Sequence, residues 1–236
     1  TNNVIGDRSF SSNPKIVSEL GKSFCDGQKK MGIIPIIKHI PGHGPSNKDS
    51  HKTTPNVDLD LISLNKKDFL PFKKLKKEPA AMIAHIIYNK IDKEVACCSK
   101  KIIKKIIRKK IGFKGLLISD DINMKALKGT TKNKVKAIIR SGCEIILHCN
   151  ANIKEMMQIY LSIPFIKSKT LKKISKLNKL ITDHEEKIAN PLLDYISSRN
   201  DFCLIGKNKI NNKDRAPTIS FTVKNRLSKD ISIILN

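Results

Sequence analysis

The densest group of chemically versatile side chains lies between residues 38 and 51, where three histidines fall within thirteen positions. An imidazole titrates near neutral pH, so a histidine held by a carboxylate can donate a proton and later accept one. Asp49 and His51 stand two positions apart and would share one side of an extended segment. This pair is a candidate general acid/base.

A second candidate for chemistry is the pair of adjacent acids at positions 120 and 121. They follow an apolar run that is typical of a buried strand. A carboxylate at the end of such a strand suits a fixed nucleophile or base, although aspartate there also commonly caps a helix. We assign the chemistry to Asp120 and a structural or supporting role to Asp121.

Short apolar runs alternate with amphipathic helical stretches, which predicts parallel βαβ units. The clearest helix begins at a Ser99 cap, carries a stripe of isoleucines and ends at Gly112. The predicted strands are 33–37, 80–84, 116–119 and 144–147. Each is followed by a titratable residue, and these are Lys38 and His39, then His85, then Asp120 and Asp121, then His148. The carboxyl ends of parallel strands hold the active sites of both (β/α)8 barrels and open α/β sheets.

Two other classes of function compete with this interpretation. His39, His43 and His51 could bind a metal in a metal-dependent hydrolase, although their spacing matches no HExxH pattern. The net charge of +25 could mark a basic nucleic-acid-binding module. Only six of the 46 basic residues are arginine and the lysines are spread along the chain, so we expect no specific nucleic-acid partner.

The sequence also predicts the redox compartment of the protein and whether it associates with membranes. No apolar run approaches the ~20 residues that cross a bilayer, so we expect no membrane association. Six cysteines form no CxxC pair, which favours a reducing cytoplasm over a disulfide framework.

Several motifs occur together in a family-specific order. They are Gly6-Asp7-Arg8-Ser9-Phe10, the KHIPGHG run from Lys38, Asp49-Ser50-His51, Met82-Ile83-Ala84-His85, Ile111-Gly112-Phe113, and Ser119-Asp120-Asp121-Ile122-Asn123-Met124. Over about residues 1–165 the chain resembles the NagZ-type β-N-acetylhexosaminidases of glycoside hydrolase family 3. The resemblance implies a (β/α)8-type barrel that needs no metal or organic cofactor. It implies a retaining exo-β-N-acetylglucosaminidase that removes terminal N-acetylglucosamine from muropeptides during cytoplasmic peptidoglycan recycling.

The resemblance also implies roles for individual residues. Asp120 would be the nucleophile that forms a covalent glycosyl-enzyme, and His51, supported by Asp49, would be the acid/base. Three further residues would hydrogen-bond the hydroxyls of the terminal sugar: Arg8, Lys38 and His39. The family usually has Leu-Pro three residues after the Asp-Ser-His triplet, whereas this chain has Thr54-Pro55.

The family pattern begins well before Gly6, and an ordinary barrel takes ~250 residues. We therefore expect an incomplete (β/α)8 barrel with an exposed apolar edge over residues 1–178, and a monomer when the barrel is complete. Residues 179–236 are expected to form a C-terminal α+β extension. This part weakly resembles the small domain of class V aminotransferases, without the lysine region that binds pyridoxal phosphate.

Overall fold

The structure is a computed structural model. The structure describes residues 6–46, 53–206, 208–209 and 219–224, without the side chain of Arg8. The chain divides into two compact units, Thr1–Ile174 and Ser175–Asn236. The boundary expected near residue 178 stays a prediction.

The first unit is built on four parallel strands with the order β1-β3-β5-β6. The described strands are β1 (Ile36–Ile40), β2 (Asn56–Val57), β3 (Ala80–Ile83), β4 (Ile87–Tyr88), β5 (Leu116–Asp121), β6 (Ile145–Leu147), β7 (Phe202–Ile205) and β8 (Ser220–Val223). β2 and β4 form a separate parallel pair beside this sheet. Among the described residues the sheet has two outer strands, β1 and β6, and does not close on itself. The expected α/β fold with an incomplete (β/α)8-type barrel is confirmed.

The described helices are α1 (Pro14–Lys30), α2 (Leu61–Lys66), α3 (Phe69–Lys74), a π-helix (Ile102–Ile111), α4 (Thr131–Ser141), α5 (Ile153–Ser162) and α6 (Ser168–Ser198). Those that lie between two strands of the parallel sheet carry the crossovers that this pairing requires. A 3₁₀ turn, Gly6–Arg8, precedes them. Within the described residues, no helix combines the length and the apolar character that crossing a membrane requires.

The isoleucine-rich helix has the bounds that its sequence signals predict. The Ser99 hydroxyl oxygen accepts a hydrogen bond from the Ile102 N–H at 2.9 Å, and Gly112 ends the helix with φ 81° in the left-handed region. Its five isoleucines are all buried. The segment is a π-helix rather than the predicted α-helix, and a π-helix of ten residues is unusually long.

The first strand differs from its predicted position by three residues. It begins at Ile36, directly after Pro35, because proline has no N–H to donate to a strand ladder. β1 is an outer strand of the described sheet and Ile36 is 47% exposed, so the expected exposed apolar edge is observed. Because β1 begins and ends three residues later than predicted, Lys38 and His39 lie within it and not after it. The register of β1 against β3 shifts between Lys38 and Ile40.

The second unit is a small α+β unit, as expected for the C-terminal extension. β7 and β8 pair in antiparallel fashion. Ala189 and Leu193 of α6 are buried and pack against the partly buried Leu204 and Ile219. The unit therefore has a small apolar core of its own.

Candidate active site

Asp120 and His39 meet at the carboxyl edge of the parallel sheet. β1 and β5 both pair with β3, so their carboxyl ends lie two strands apart at the same edge. His39 Nε2 lies 3.5 Å from Asp120 Oδ2, and both side chains are largely but not fully covered. The Asp120 Oδ1 atom accepts a hydrogen bond from the Asp121 N–H at 2.9 Å. The sheet thus brings together two of the residues to which the sequence assigned a function.

The His39 imidazole is neutral at physiological pH. Burial lowers its pKa to about 4, although the nearby Asp120 carboxylate acts in the opposite direction. Two further bases, His43 and Lys38, lower the pKa again because their positive charges disfavour a second cation. The contact between His39 and Asp120 is therefore one between a neutral ring and a carboxylate, and not an ion pair at pH 7.

Tyr88, which the sequence did not single out, holds the turn after β1 at Gly42. The buried Tyr88 hydroxyl donates a hydrogen bond to the Gly42 carbonyl oxygen. Gly42 has φ 146°, and a Cβ there would lie 2.8 Å from Asp68 Cβ, so only glycine fits this position. No local sequence pattern links these residues, since Tyr88 follows Gly42 by 46 positions.

The Asp68 side chain packs against this turn at Gly42. Its Oδ2 atom is buried without a hydrogen-bond partner among the described residues. Burial raises its pKa to about 6. His43 lies on the same turn, with its ring in edge contact with that of His39 at a centroid separation of 5.5 Å.

Asp121 has a structural role, as the sequence suggested. Its Oδ1 atom accepts hydrogen bonds from the backbone N–H groups of Asn123 and Cys149, at 3.2 and 3.3 Å. These bonds join the end of β5 to the segment after β6. The carboxylate of Asp121 is thereby held by the backbone, next to the less restrained Asp120.

His148, the titratable residue after β6, is bound to α5 and not to Asp120 among the residues described. Its Nε2 atom lies 3.0 Å from Glu155 Oε2, which also accepts hydrogen bonds from the Asn123 and Asn150 side-chain amides at 2.9 Å. These contacts lower the pKa of Glu155, the bond to His148 most strongly. Sequence reasoning gave no role to Glu155, which joins the loops after β5 and β6.

Several predicted site residues cannot be placed. Asp49 and His51 lie outside the described residues, and only the backbone of Arg8 is described, in the 3₁₀ turn. The Lys38 side chain is exposed, and its charge acts on the His39 ring. Across the described part of the chain, no three His, Cys, Asp or Glu side chains gather as a metal site. The three-histidine alternative includes His51 and stays untested.

The arrangement is suited to nucleophilic chemistry on a polar substrate. Asp120 lies at the carboxyl end of β5, which fixes its position, and its described partners leave carboxylate lone pairs open. A neutral imidazole beside it can donate a hydrogen bond to a hydroxyl group without neutralising the carboxylate. Fixed acids at the carboxyl ends of parallel strands are typical of barrel enzymes.

Comparison with known proteins identifies the family of barrel enzymes to which this site corresponds. The description "Glycosyl hydrolase family 3 N terminal domain" matches residues 1–188. A curated relative from Tolumonas auensis, named "Beta-hexosaminidase", is 38% identical over 153 residues, which are 63% of this chain and 46% of the relative.

Solved structures agree with this assignment. Native NagZ from Neisseria gonorrhoeae is 31% identical, with a TM-score of 0.68, over 75% of this chain and 52% of that one. CbsA from Thermotoga neapolitana is 29% identical, with a TM-score of 0.67, over 85% of this chain and 48% of that one.

The chain therefore belongs to glycoside hydrolase family 3, which confirms the resemblance inferred from its motifs. It spans about half the length of the relatives that it matches.

Proposed function

We propose that this chain supplies the nucleophile and part of the sugar-binding edge of a retaining exo-β-N-acetylglucosaminidase. The observation that carries the proposal is the Asp120 carboxylate at the carboxyl end of a buried strand, 3.5 Å from the His39 ring. Membership of glycoside hydrolase family 3 and relatives named as beta-hexosaminidases support it.

In this mechanism Asp120 Oδ attacks the anomeric carbon of a terminal N-acetylglucosamine. The bond to the leaving-group oxygen breaks while an acid supplies that oxygen with a proton, and a glycosyl-aspartate ester forms. Water then attacks the same carbon, gives up a proton to the conjugate base and releases Asp120. The two inversions leave the product in its original β configuration.

His51 is the residue that we propose as acid/base, with Asp49 as its supporting carboxylate. An imidazole can act as both acid and base near neutral pH without placing a second carboxylate beside the nucleophile. Arg8, Lys38 and His39 would bind the sugar hydroxyls. The neutral state of His39 suits this role, because a neutral ring donates a hydrogen bond while Asp120 remains an anion.

The proposed substrates are the terminal N-acetylglucosamine units of muropeptides, and the proposed setting is cytoplasmic peptidoglycan recycling. The relatives named beta-hexosaminidases support the sugar class. A monomeric state of the complete barrel and the absence of a specific nucleic-acid partner belong to the same proposal.

The test uses a completed barrel, in which this chain is joined to the segments of the Tolumonas auensis relative that it does not cover. Hydrolysis of an aryl β-N-acetylglucosaminide is followed by proton NMR. We expect β-N-acetylglucosamine as the first product, and the α anomer only after mutarotation. Initial formation of the α anomer would contradict a covalent glycosyl-aspartate.

The same assay separates the competing proposals. Incubation with a chelator should leave the rate unchanged if Asp120 and His51 do the chemistry. A loss of activity that added metal restores would favour the metal-dependent hydrolase built on His39, His43 and His51. An inactive completed barrel that binds nucleic acid with a steep dependence on salt would favour the basic binding module.

A further inference from the structure

Two adjacent thiols lie beside an open cavity in the first unit whose lining does not include Asp120 or His39. Cys97 and Cys98 have their Sγ atoms 3.8 Å apart. Cys97 is completely buried, whereas Cys98 is partly exposed. Cys98 lines a cavity of about 820 Å³ that a small solute can enter. One thiol is therefore reachable, and the other lies directly behind it.

The backbone holds this pair in place from both sides. The Cys97 carbonyl oxygen accepts a hydrogen bond from the Ser141 hydroxyl at 2.7 Å. The Cys98 N–H donates to the Val95 carbonyl at 2.8 Å, and Ser99 caps the π-helix. The two sulfur atoms therefore stay close together, which raises the effective concentration of each thiol for the other.

The cavity beside Cys98 is lined by more basic than acidic side chains. Its lining includes one glutamate, Glu94, and four lysines. The lysines are Lys93, Lys125, Lys128 and Lys134. The contact with the Cys97 thiol lowers the pKa of Cys98, while burial raises that of Cys97 well above its ordinary value. Cys98 is thus the thiol that a solute in the cavity reaches, and the buried Cys97 thiol stays protonated behind it.

We propose that Cys97 and Cys98 form a redox-active vicinal dithiol that hydroperoxides convert into a disulfide. The inference is independent of the proposed glycosidase function. The Cys98 thiolate attacks a peroxide oxygen, so that an S–O bond forms, the O–O bond breaks and hydroxide leaves. Cys97 sulfur then attacks Cys98 sulfur, the S–O bond breaks, and water leaves with the Cys97 proton. The two thiols lose two electrons and two protons in total. The hydroxide takes up the proton that Cys98 released, so that hydrogen peroxide is reduced to two molecules of water.

The bridge should open readily in the presence of small thiols. Neighbouring Cα atoms across a trans peptide are about 3.8 Å apart, below the usual ~4.4–6.8 Å span of disulfides. A ring closed over adjacent residues is therefore strained, and strained, accessible disulfides exchange easily with thiols. This property distinguishes a reversible modification from a structural crosslink.

The experiment follows the tryptic peptide 94–100, which contains both thiols and no other cysteine. The 236-residue chain is treated with hydrogen peroxide, denatured in N-ethylmaleimide and digested. We expect a peptide that has lost two hydrogen atoms and carries no maleimide, and that takes up two maleimides after dithiothreitol. A peptide with two maleimides, at a dose that oxidises the exposed Cys149, would overturn the proposal. Oxygen added to Cys98 without a bridge would do the same.

Variants distinguish the two roles within the pair. Cys98→Ser should slow oxidation of Cys97 by about tenfold or more, because a buried protonated thiol reacts poorly. The matched control is Cys143→Ser. Cys143 is buried like Cys97, but burial raises its pKa to about 12 and its thiol contacts backbone carbonyls. This variant should form the bridge at the wild-type rate, and loss of the bridge in it would contradict the assignment.

A measurement on the unmutated chain removes any dependence on variant folding. Brief treatment of the native protein with iodoacetamide should alkylate Cys98 before Cys97. Peroxide added afterwards should then produce no bridged peptide. Alkylation of Cys97 first, or bridging after Cys98 is blocked, would contradict the roles assigned here.

Discussion

Two carboxylates at opposite ends of the parallel sheet are held in very different ways. Glu144, at the amino end, accepts hydrogen bonds from Lys173 on one oxygen and from Arg108 and the Leu117 N–H on the other, at 2.7–3.0 Å. Asp120, at the carboxyl end, has one backbone bond and a neutral imidazole at 3.5 Å among the described residues. Both carboxylates are mostly covered by protein.

The difference shows how one sheet separates stability from chemistry. A carboxylate whose lone pairs are filled by cations and an N–H group fixes the elements that supply them, and it has little capacity left for a substrate. A carboxylate with open lone pairs contributes less to folding and is available to react. We therefore expect changes at Glu144 to affect stability and changes at Asp120 to affect turnover.

The largest expected effect is the loss of activity when Asp120 is neutralised. Asp120→Asn in the completed barrel should lower kcat by at least about 10³-fold, because an amide cannot replace the nucleophile. The matched control is Asp121→Asn, which alters a carboxylate bonded to backbone N–H groups and should lower kcat much less. Equal losses in steady-state assays of the two variants would contradict the assignment of Asp120 as nucleophile.

Glu144→Gln should produce the largest loss of stability. It leaves Arg108 and Lys173 without their anion in a largely covered site and should lower the free energy of unfolding by about 2–4 kcal/mol. Urea denaturation measures this loss, and activity per folded molecule should remain near that of the wild type. The control is Asp26→Asn, which removes two exposed ion pairs, with Lys22 and Lys29, and should shift the midpoint far less.

Asp68→Asn should stabilise the protein at neutral pH. The folded carboxyl group has a pKa of about 6, above its ordinary value of 3.8, so the folded state binds more protons between these values. Its contribution to stability therefore falls as the pH rises from 3.8 through 6. Because one pKa unit corresponds to about 1.4 kcal/mol, and the group is only partly covered, the variant should gain about 1–2 kcal/mol at pH 7.

The pH dependence is the decisive part of this prediction. The gain from Asp68→Asn should largely disappear near pH 3.5, where the wild-type carboxyl group is mostly protonated in both the folded and the unfolded state. Urea denaturation of both proteins across this range measures it. An equal gain at pH 3.5 and pH 7 would show that packing, and not ionisation, causes the change.

The smallest effect is expected at the turn that follows β1. Tyr88→Phe removes the hydrogen bond to the Gly42 carbonyl while keeping the buried ring, and should lower stability by about 1 kcal/mol. Because this turn follows Lys38 and His39, we also expect KM to rise more than kcat falls. An unchanged KM would indicate that the turn does not position the sugar-binding residues.

The sequence predicted those features whose signals are local. The Ser99 cap, the isoleucine stripe and Gly112 gave the extent of the central helix, and Asp120 was identified from its position after an apolar run. The predicted start of β1 is wrong because the apolar pattern of 33–37 does not show the effect of Pro35. Proline has no N–H to donate to the neighbouring strand, so the strand begins after it.

The remaining features depend on contacts between distant positions. Tyr88 reaches Gly42, and Arg108 reaches Glu144 across 36 positions; neither pairing leaves a periodic or spacing signal. The helix α2 was also missed, because its six residues are too few for a clear amphipathic pattern and lie in what reads as a polar loop. Tertiary packing, and not local preference, determines these features.

The most direct test of the account is to trap the covalent intermediate between the sugar and Asp120. The completed barrel is quenched with acid during turnover of an aryl β-N-acetylglucosaminide with a good leaving group, which favours accumulation of the intermediate. Tryptic digestion gives peptide 115–125, which contains Asp120 and Asp121. We predict that this peptide gains one N-acetylhexosaminyl group and that fragmentation places the group on Asp120. An unmodified peptide during verified turnover, or a sugar on any other residue, would contradict the account.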